Sequence, residues 1–107
     1  MTTFDKREEA FEKKFAHDQD LRFKAVARRN KMLGLWAAEK LGKSGQDASD
    51  YAKAVVLADF EEAGDDDVVR KVKGDFDAAG VACSESDIRA RMSELLGVAV
   101  AEVQAGT

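Results

Sequence analysis

The sequence predicts an all-α protein: a four-helix bundle preceded by an amphipathic helical segment. Three observations predict it. The 107 residues contain no proline, where ordinary usage would supply about five, and proline is the residue that helix interiors exclude. Gly42, Gly64 and Gly80 each precede a Ser or Asp within a few positions. That is the order in which one helix ends in a left-handed turn and the next is capped. Between these marks, apolar residues recur at helical spacing.

The elements follow in chain order. Phe4, Phe11 and Phe15 fall at i, i+7 and i+11, and from Asp5 to Lys14 every residue except Ala10 and Phe11 is charged. This is an amphipathic helix with an aromatic stripe, about 20 Å long. His17-Asp18-Gln19-Asp20 predicts a break, with Asp18 or Asp20 capping the next helix. Four bundle helices are expected over about 20–41, 46–61, 66–79 and 85–104. The first carries Leu21, Ala25, Met32 and Trp36 beside Leu33, Ala37 and Leu41. The second carries Ala52, Val55, Val56 and Phe60, with Tyr51 at the edge, and the third Val69, Val72, Phe76 and Ala79. Ile88, Met92, Leu95, Leu96, Ala99 and Val103 form the face of the fourth. Ser44 to Asp47 and Ser84 to Asp87 have capping-box spacing, with Asp in place of Glu. Short links favour antiparallel neighbours, and Ala37, Ala38, Ala52 and Ala99 permit close approach. Residues 1–19 thus form one segment and residues 20–107 the bundle domain.

Composition narrows the function classes. Apolar residues make up 45% and charged residues 36%, too apolar for a disordered chain and too charged for a membrane protein. No apolar run approaches the roughly 20 residues of a spanning helix. A single cysteine, Cys83, excludes an internal disulfide and a multi-cysteine zinc site. The first dozen residues are charged throughout, unlike a secretory signal, and a reduced, cytoplasmic setting fits. Charge is unevenly spread: residues 1–31 hold nine Lys/Arg against six Asp/Glu, and the remainder eight against fifteen.

Candidate chemistry is sparse. His17 and Cys83 are far apart in the chain and belong to no local nucleophile motif. Asp65, Asp66 and Asp67 lack the alternation of a calcium loop, and helix capping with dipole pairing accounts for them. Neither metal nor cofactor is expected. Gly42-Lys43-Ser44-Gly45 has no glycine at the Walker spacing, so weak nucleotide binding at a helix start is the most it offers. The basic run Arg22, Lys24, Arg28, Arg29 and Lys31 has three readings: a solvated helix face, a dock for an acidic protein, or a contact for nucleic-acid phosphates. An overall pI near 5.0 argues against the last. Trp36 is expected in the core, its indole N–H at the bundle edge. The Phe4, Phe11, Phe15 stripe either folds back as a fifth packed helix or is a detachable helix for a partner's groove; its terminal position favours the second.

Several of these strings resemble one family. Phe4-Asp5-Lys6-Arg7-Glu8-Glu9-Ala10-Phe11-Glu12-Lys13-Lys14-Phe15-Ala16-His17-Asp18 is similar to the amino terminus of the ATPase inhibitor subunit zeta family of alphaproteobacteria. The similarity continues through Leu21-Arg22-Phe23-Lys24-Ala25, Ala27 to Lys31, Leu33-Gly34-Leu35-Trp36-Ala37-Ala38-Glu39, Tyr51-Ala52-Lys53, Ala58 to Gly64, Asp66-Asp67-Val68, Arg70-Lys71-Val72, Ile88-Arg89 and Met92. The resemblance implies a four-helix bundle that binds the F1 sector of the ATP synthase, among its alpha, beta and gamma subunits, and blocks ATP hydrolysis more than synthesis. It implies a regulatory protein rather than an enzyme, monomeric when free, working at the cytoplasmic face of the inner membrane without inserting into it. The implied partner-binding residues are Phe4, Phe11 and Phe15 on the apolar face, with Asp5, Lys6, Arg7, Glu8, Glu9, Glu12, Lys13 and Lys14 as polar contacts. The basic run from Arg22 to Lys31 is a possible secondary contact.

Overall fold

A computed structural model describes the backbone of residues 3–59 and 64–106, and the side chains of residues 20–59 and 64–106. Four helices follow one another: α1 (Thr3–Lys40), α2 (Gly45–Ala58), α3 (Asp66–Ala79) and α4 (Glu85–Gln104). The all-α bundle is as expected, and α3 and α4 have the expected bounds. α2 ends at Ala58, short of residue 61, and Asp59 closes it; Phe60 and Glu61 lie outside the described residues.

The larger difference is at the start. No break separates residues 17 and 20, and one 38-residue helix runs from Thr3 to Lys40. Aspartates in a helix interior each cost only about 0.7 kcal/mol relative to Ala, and no Gly or Pro forces a stop there. Asp18 and Asp20 also stand four residues before Arg22 and Lys24, the acid-before-base order that supports a helix. The predicted second cap is therefore not used.

Consecutive helices run antiparallel, and α4 also runs antiparallel to α1. Position 34 of α1 meets Ala52 and Val55 of α2. Tyr51 of α2 bonds Asp75 of α3, and α4 returns along α1, pairing Glu102 with Arg28 and Arg91 with Trp36. The turns use the expected chemistry. Gly80 takes φ +73°; its N–H reaches the Asp77 carbonyl at 3.2 Å and that of Val81 the Phe76 carbonyl at 2.8 Å. Gly42 repeats this double bond at the end of α1, to Glu39, with Lys43 reaching Ala38. Both are Schellman turns. The Ser84–Asp87 capping box is complete in both directions. Ser44 makes no side-chain cap bond, because Gly45 directly after it is left-handed, φ +55°, and swings the following amides away.

Leu33, Val55, Val68, Val72, Phe76 and Ile88 are fully buried and form the core with Ala37, Val69 and Met92. Each such side chain stabilises by roughly 1.5–3 kcal/mol. Trp36 sits half-buried at the rim, its ring edge-on to Phe76 at 5.8 Å, with Lys40 and Arg91 over it at 5.3 and 5.9 Å. The expected alanine contacts are made: Ala37, Ala38, Ala52 and Ala99 are all buried.

Gly34 is the tightest point. A Cβ placed there would lie 2.6 Å from the Ala52 Cα, so α1 and α2 touch backbone to backbone. Gly34→Ala is expected to destabilise the bundle by about 1–3 kcal/mol through overpacking. Gly74→Ala, also helical but facing open space, should instead stabilise it by about 0.5–1 kcal/mol. Denaturant unfolding of the two variants measures both signs.

Candidate functional site

Phe4, Asp5, Lys6, Arg7, Glu8, Glu9, Phe11, Glu12, Lys13, Lys14 and Phe15 all belong to the first turns of α1. Their side chains, and that of His17, lie outside the described residues. The backbone supplies the geometry. α1 is about 57 Å long at 1.5 Å per residue, against about 30 Å for α4. Gln104 at the end of α4 stands level with Leu21 and Arg22. The helix from residue 3 to residue 20, about 27 Å, thus lies beyond the end of α4, in keeping with a longest molecular dimension of 61 Å.

The basic run is divided by the fold. Arg22, Lys24 and Lys31 are exposed. Arg28 is half-buried and donates to Glu102 at 3.3 Å. Arg29 is only 3% exposed and is an internal tie. Its Nη2 donates to Asp65 Oδ1 at 2.7 Å and its Nη1 to Oδ2 at 3.3 Å. Nε and Nη2 also donate to the buried Asn30 Oδ1, at 3.1 and 2.8 Å. Two of the five candidate contact residues are therefore engaged in holding α4 and the start of α3 to α1. The signal was in the sequence: Arg29 falls four residues after Ala25 and four before Leu33, inside the apolar stripe, where a charge needs a partner.

The aspartates around the α2–α3 link also divide. Asp65 stands at the start of α3 yet makes no capping bond, because its carboxylate faces Arg29. Asp66 pairs with Arg89 at 2.9 Å. Asp67, 3% exposed, accepts from the Val68 N–H at 2.8 Å. Among the described residues no group of three His, Cys, Asp or Glu is arranged to hold a metal.

Two surface grooves bear on binding. Tyr51 lies between Lys43 and Lys71, whose ammonium groups are 5.9 and 5.3 Å from its ring, in a groove of about 410 Å³ that also includes Leu41 and Asp75. Its hydroxyl donates to Asp75 at 2.7 Å. Burial first, then that bond and the Asp75 charge, raise its pKa well above the usual tyrosine range. The second is an open groove of about 290 Å³ at the α1–α4 mouth, lined by Leu21, Arg22, Leu96, Val100 and Gln104.

The fold and its long leading helix define a small helical-bundle protein with an extended amino-terminal arm. The family model for ATPase inhibitor subunit zeta matches residues 1–102, and the chain belongs to that family. A protein solved in solution by NMR is 52% identical, with a TM-score of 0.71, over 81% of this chain and 99% of the other. No curated protein matches.

One carboxylate, that of Asp59, has its pKa raised by its surroundings. Burial, then the nearby Asp67 and Asp65 charges, raise the Asp59 pKa, against the pull of Asn30 and Arg29. A carboxyl raised on folding contributes stability below its unfolded pKa, and that contribution is lost as pH rises through the folded value. Asp59→Asn is therefore expected to unfold at higher denaturant concentration than the parent at pH 7. The difference should close below about pH 4, where unperturbed aspartate is protonated; unfolding midpoints at the two pH values check the sign.

Proposed function

We propose that the protein binds the F1 sector of the ATP synthase and blocks ATP hydrolysis by inserting its amino-terminal helix between catalytic subunits. The observation that carries this reading is the unbroken α1 in a member of an ATPase inhibitor family. Inhibition of this kind uses no nucleophile, base or metal in the inhibitor. It needs a rigid body that binds one conformation of a catalytic interface better than the others. Phe4, Phe11 and Phe15 supply the apolar face of that body; Asp5, Lys6, Arg7, Glu8, Glu9, Glu12, Lys13 and Lys14 supply its polar contacts. Three buried phenylalanines are worth roughly 4–9 kcal/mol before the costs of association. A helix continuous with a folded bundle lowers the ordering part of those costs.

In this reading residues 1–19 are the inhibitory segment and residues 20–107 the domain that carries it. The exposed Arg22, Lys24 and Lys31 are a secondary contact for an acidic surface of the enzyme. The site of action is the cytoplasmic face of the membrane, and among the described residues no helix is long and apolar enough to cross one. The free protein acts as a monomer, and the net negative charge disfavours nucleic acid.

Removing residues 1–19 is expected to reduce inhibition of ATP hydrolysis by purified homologous F1 at least about a hundredfold, while circular dichroism shows the remaining bundle folded. Undiminished inhibition by the truncated chain would sink the assignment of the segment. A second reading, a small nucleotide-binding module for ADP or ATP, draws on Lys43 and Lys71 beside Tyr51. Titration with ADP separates it: saturable chemical-shift changes confined to this groove support it, and a diffuse, unsaturable response removes it.

A further inference from the structure

The last turn of α2 is weakly anchored. Val55 is fully buried, but after it Val56 is half-buried and Leu57 is 64% exposed. The turn therefore puts little more than the Ala58 methyl group into the core. It holds no basic residue, and an acid, Asp59, closes it; a negative charge at the carboxyl end of a helix opposes the dipole. Elements with so few apolar contacts open ahead of the rest of a fold.

The turn closes onto a crowded polar cluster. Arg29, Asn30 and Asp67 are each 3% exposed or less. Asp59 faces Arg29 and Asn30 from α1, and Asp67 and Asp65 from α3; Glu61 and Glu62 follow it in the chain. Both Asp65 oxygens already engage Arg29, at 2.7 and 3.3 Å. Arg89 of α4 shares a groove with Arg29 and Asp65 but is held by Asp66 and Glu85. Asn30 gives its Oδ1 to Arg29. Its buried Nδ2 makes no hydrogen bond, so it acts on Asp59 as a nearby dipole rather than a closed bond. An ionised Asp59 thus brings a third carboxylate to one guanidinium, where burial already opposes charge.

We propose that the last turn of α2, residues 56–59, is a proton-controlled latch. With Asp59 neutral the turn stays closed on α1 and α3; with Asp59 ionised it opens more readily, while the rest of the bundle stays folded. The closed turn favours the protonated carboxyl. Its extra hold is therefore fully present below the pKa of an exposed aspartate, about 3.9, and is lost as pH rises through the higher closed-turn value. The latch needs nothing from residues 1–19 and stands apart from the functional reading above.

Amide hydrogen exchange of the full-length chain, read by NMR, tests this. In the parent at pH 7 the Leu57 and Ala58 amides should exchange at least about tenfold faster than those of Val72 and Phe76, each relative to its unstructured rate. That difference marks opening without unfolding. Asp59→Asn should slow the Leu57 and Ala58 amides at least about threefold at pH 7, and the gain should vanish as pH falls below the Asp59 midpoint. In an Asp67→Asn background, which lacks one facing carboxylate, the gain should shrink by about half or more. In the parent, the Asp59 carboxyl carbon should titrate above about 3.9, at the same midpoint as the protection of the two amides. Exchange at the end of α2 as slow as in the core would remove the separate opening. Equal rates in the parent and Asp59→Asn, or a carboxyl midpoint at or below the ordinary value, would overturn the latch. A gain undiminished by Asp67→Asn would also overturn it, since the helix dipole alone would then account for the effect.

Discussion

The buried guanidinium of Arg29 is the constraint around which the bundle is arranged. A charge taken from water must be met by hydrogen bonds in nearly fixed directions, and breaking such a set costs several kcal/mol. Here the acceptors are the Asn30 side chain from the same helix and the two Asp65 oxygens from the start of α3. The geometry fixes where the start of α3 meets α1. That in turn sets the height of Val68 and Val72 against Leu33, and through Phe76 the position of Trp36. It also explains why Asp65 does not cap its own helix: its carboxylate is used across the bundle instead. Asp59 occupies the crowded side of the same arrangement, where burial first and then the neighbouring carboxylates raise its pKa.

Against this polar tie, the α1–α2 contact is set by absence of side chain. Gly34 and Ala52 bring two backbones together, and the core residues on either side, Leu33 and Val55, interlock because the helices are that close. The polar tie and the close contact act at neighbouring turns of α1. The helix is thereby held at a defined height and rotation, which is what makes its further extension geometrically meaningful.

Most of the bundle was legible from periodicity and punctuation. Ile88, Met92, Leu95 and Ala99 announce α4 at helical spacing, and Ser84 with Asp87 marks its start to the residue. Gly42 and Gly80 announce their turns because only a residue without Cβ adopts that backbone at low cost. What was not legible depended on tertiary partners. The string His17 to Asp20 resembles a cap by composition, yet capping requires the chain to turn, and nothing in these four residues makes it turn. Likewise Arg29 belongs to a run that scans as a solvated basic face; its place between Ala25 and Leu33 signals burial, but its partner, Asp65, comes from 36 residues away. The arm's aromatic stripe was legible as a pattern, whereas its phase relative to the core became definite only with the continuous α1.

The unbroken α1 has a thermodynamic consequence for how its arm acquires shape. An isolated helix of this length must first form a nucleus, with an equilibrium penalty of about a thousandfold. An arm that grows from the folded turn at Leu21 skips that step, since the bundle has already fixed the first turn for it. Helix formation then proceeds outward as propagation alone, with each added residue near neutral in free energy. The arm's conformation becomes a boundary problem, set at one end by the core and at the other by whatever surface receives it.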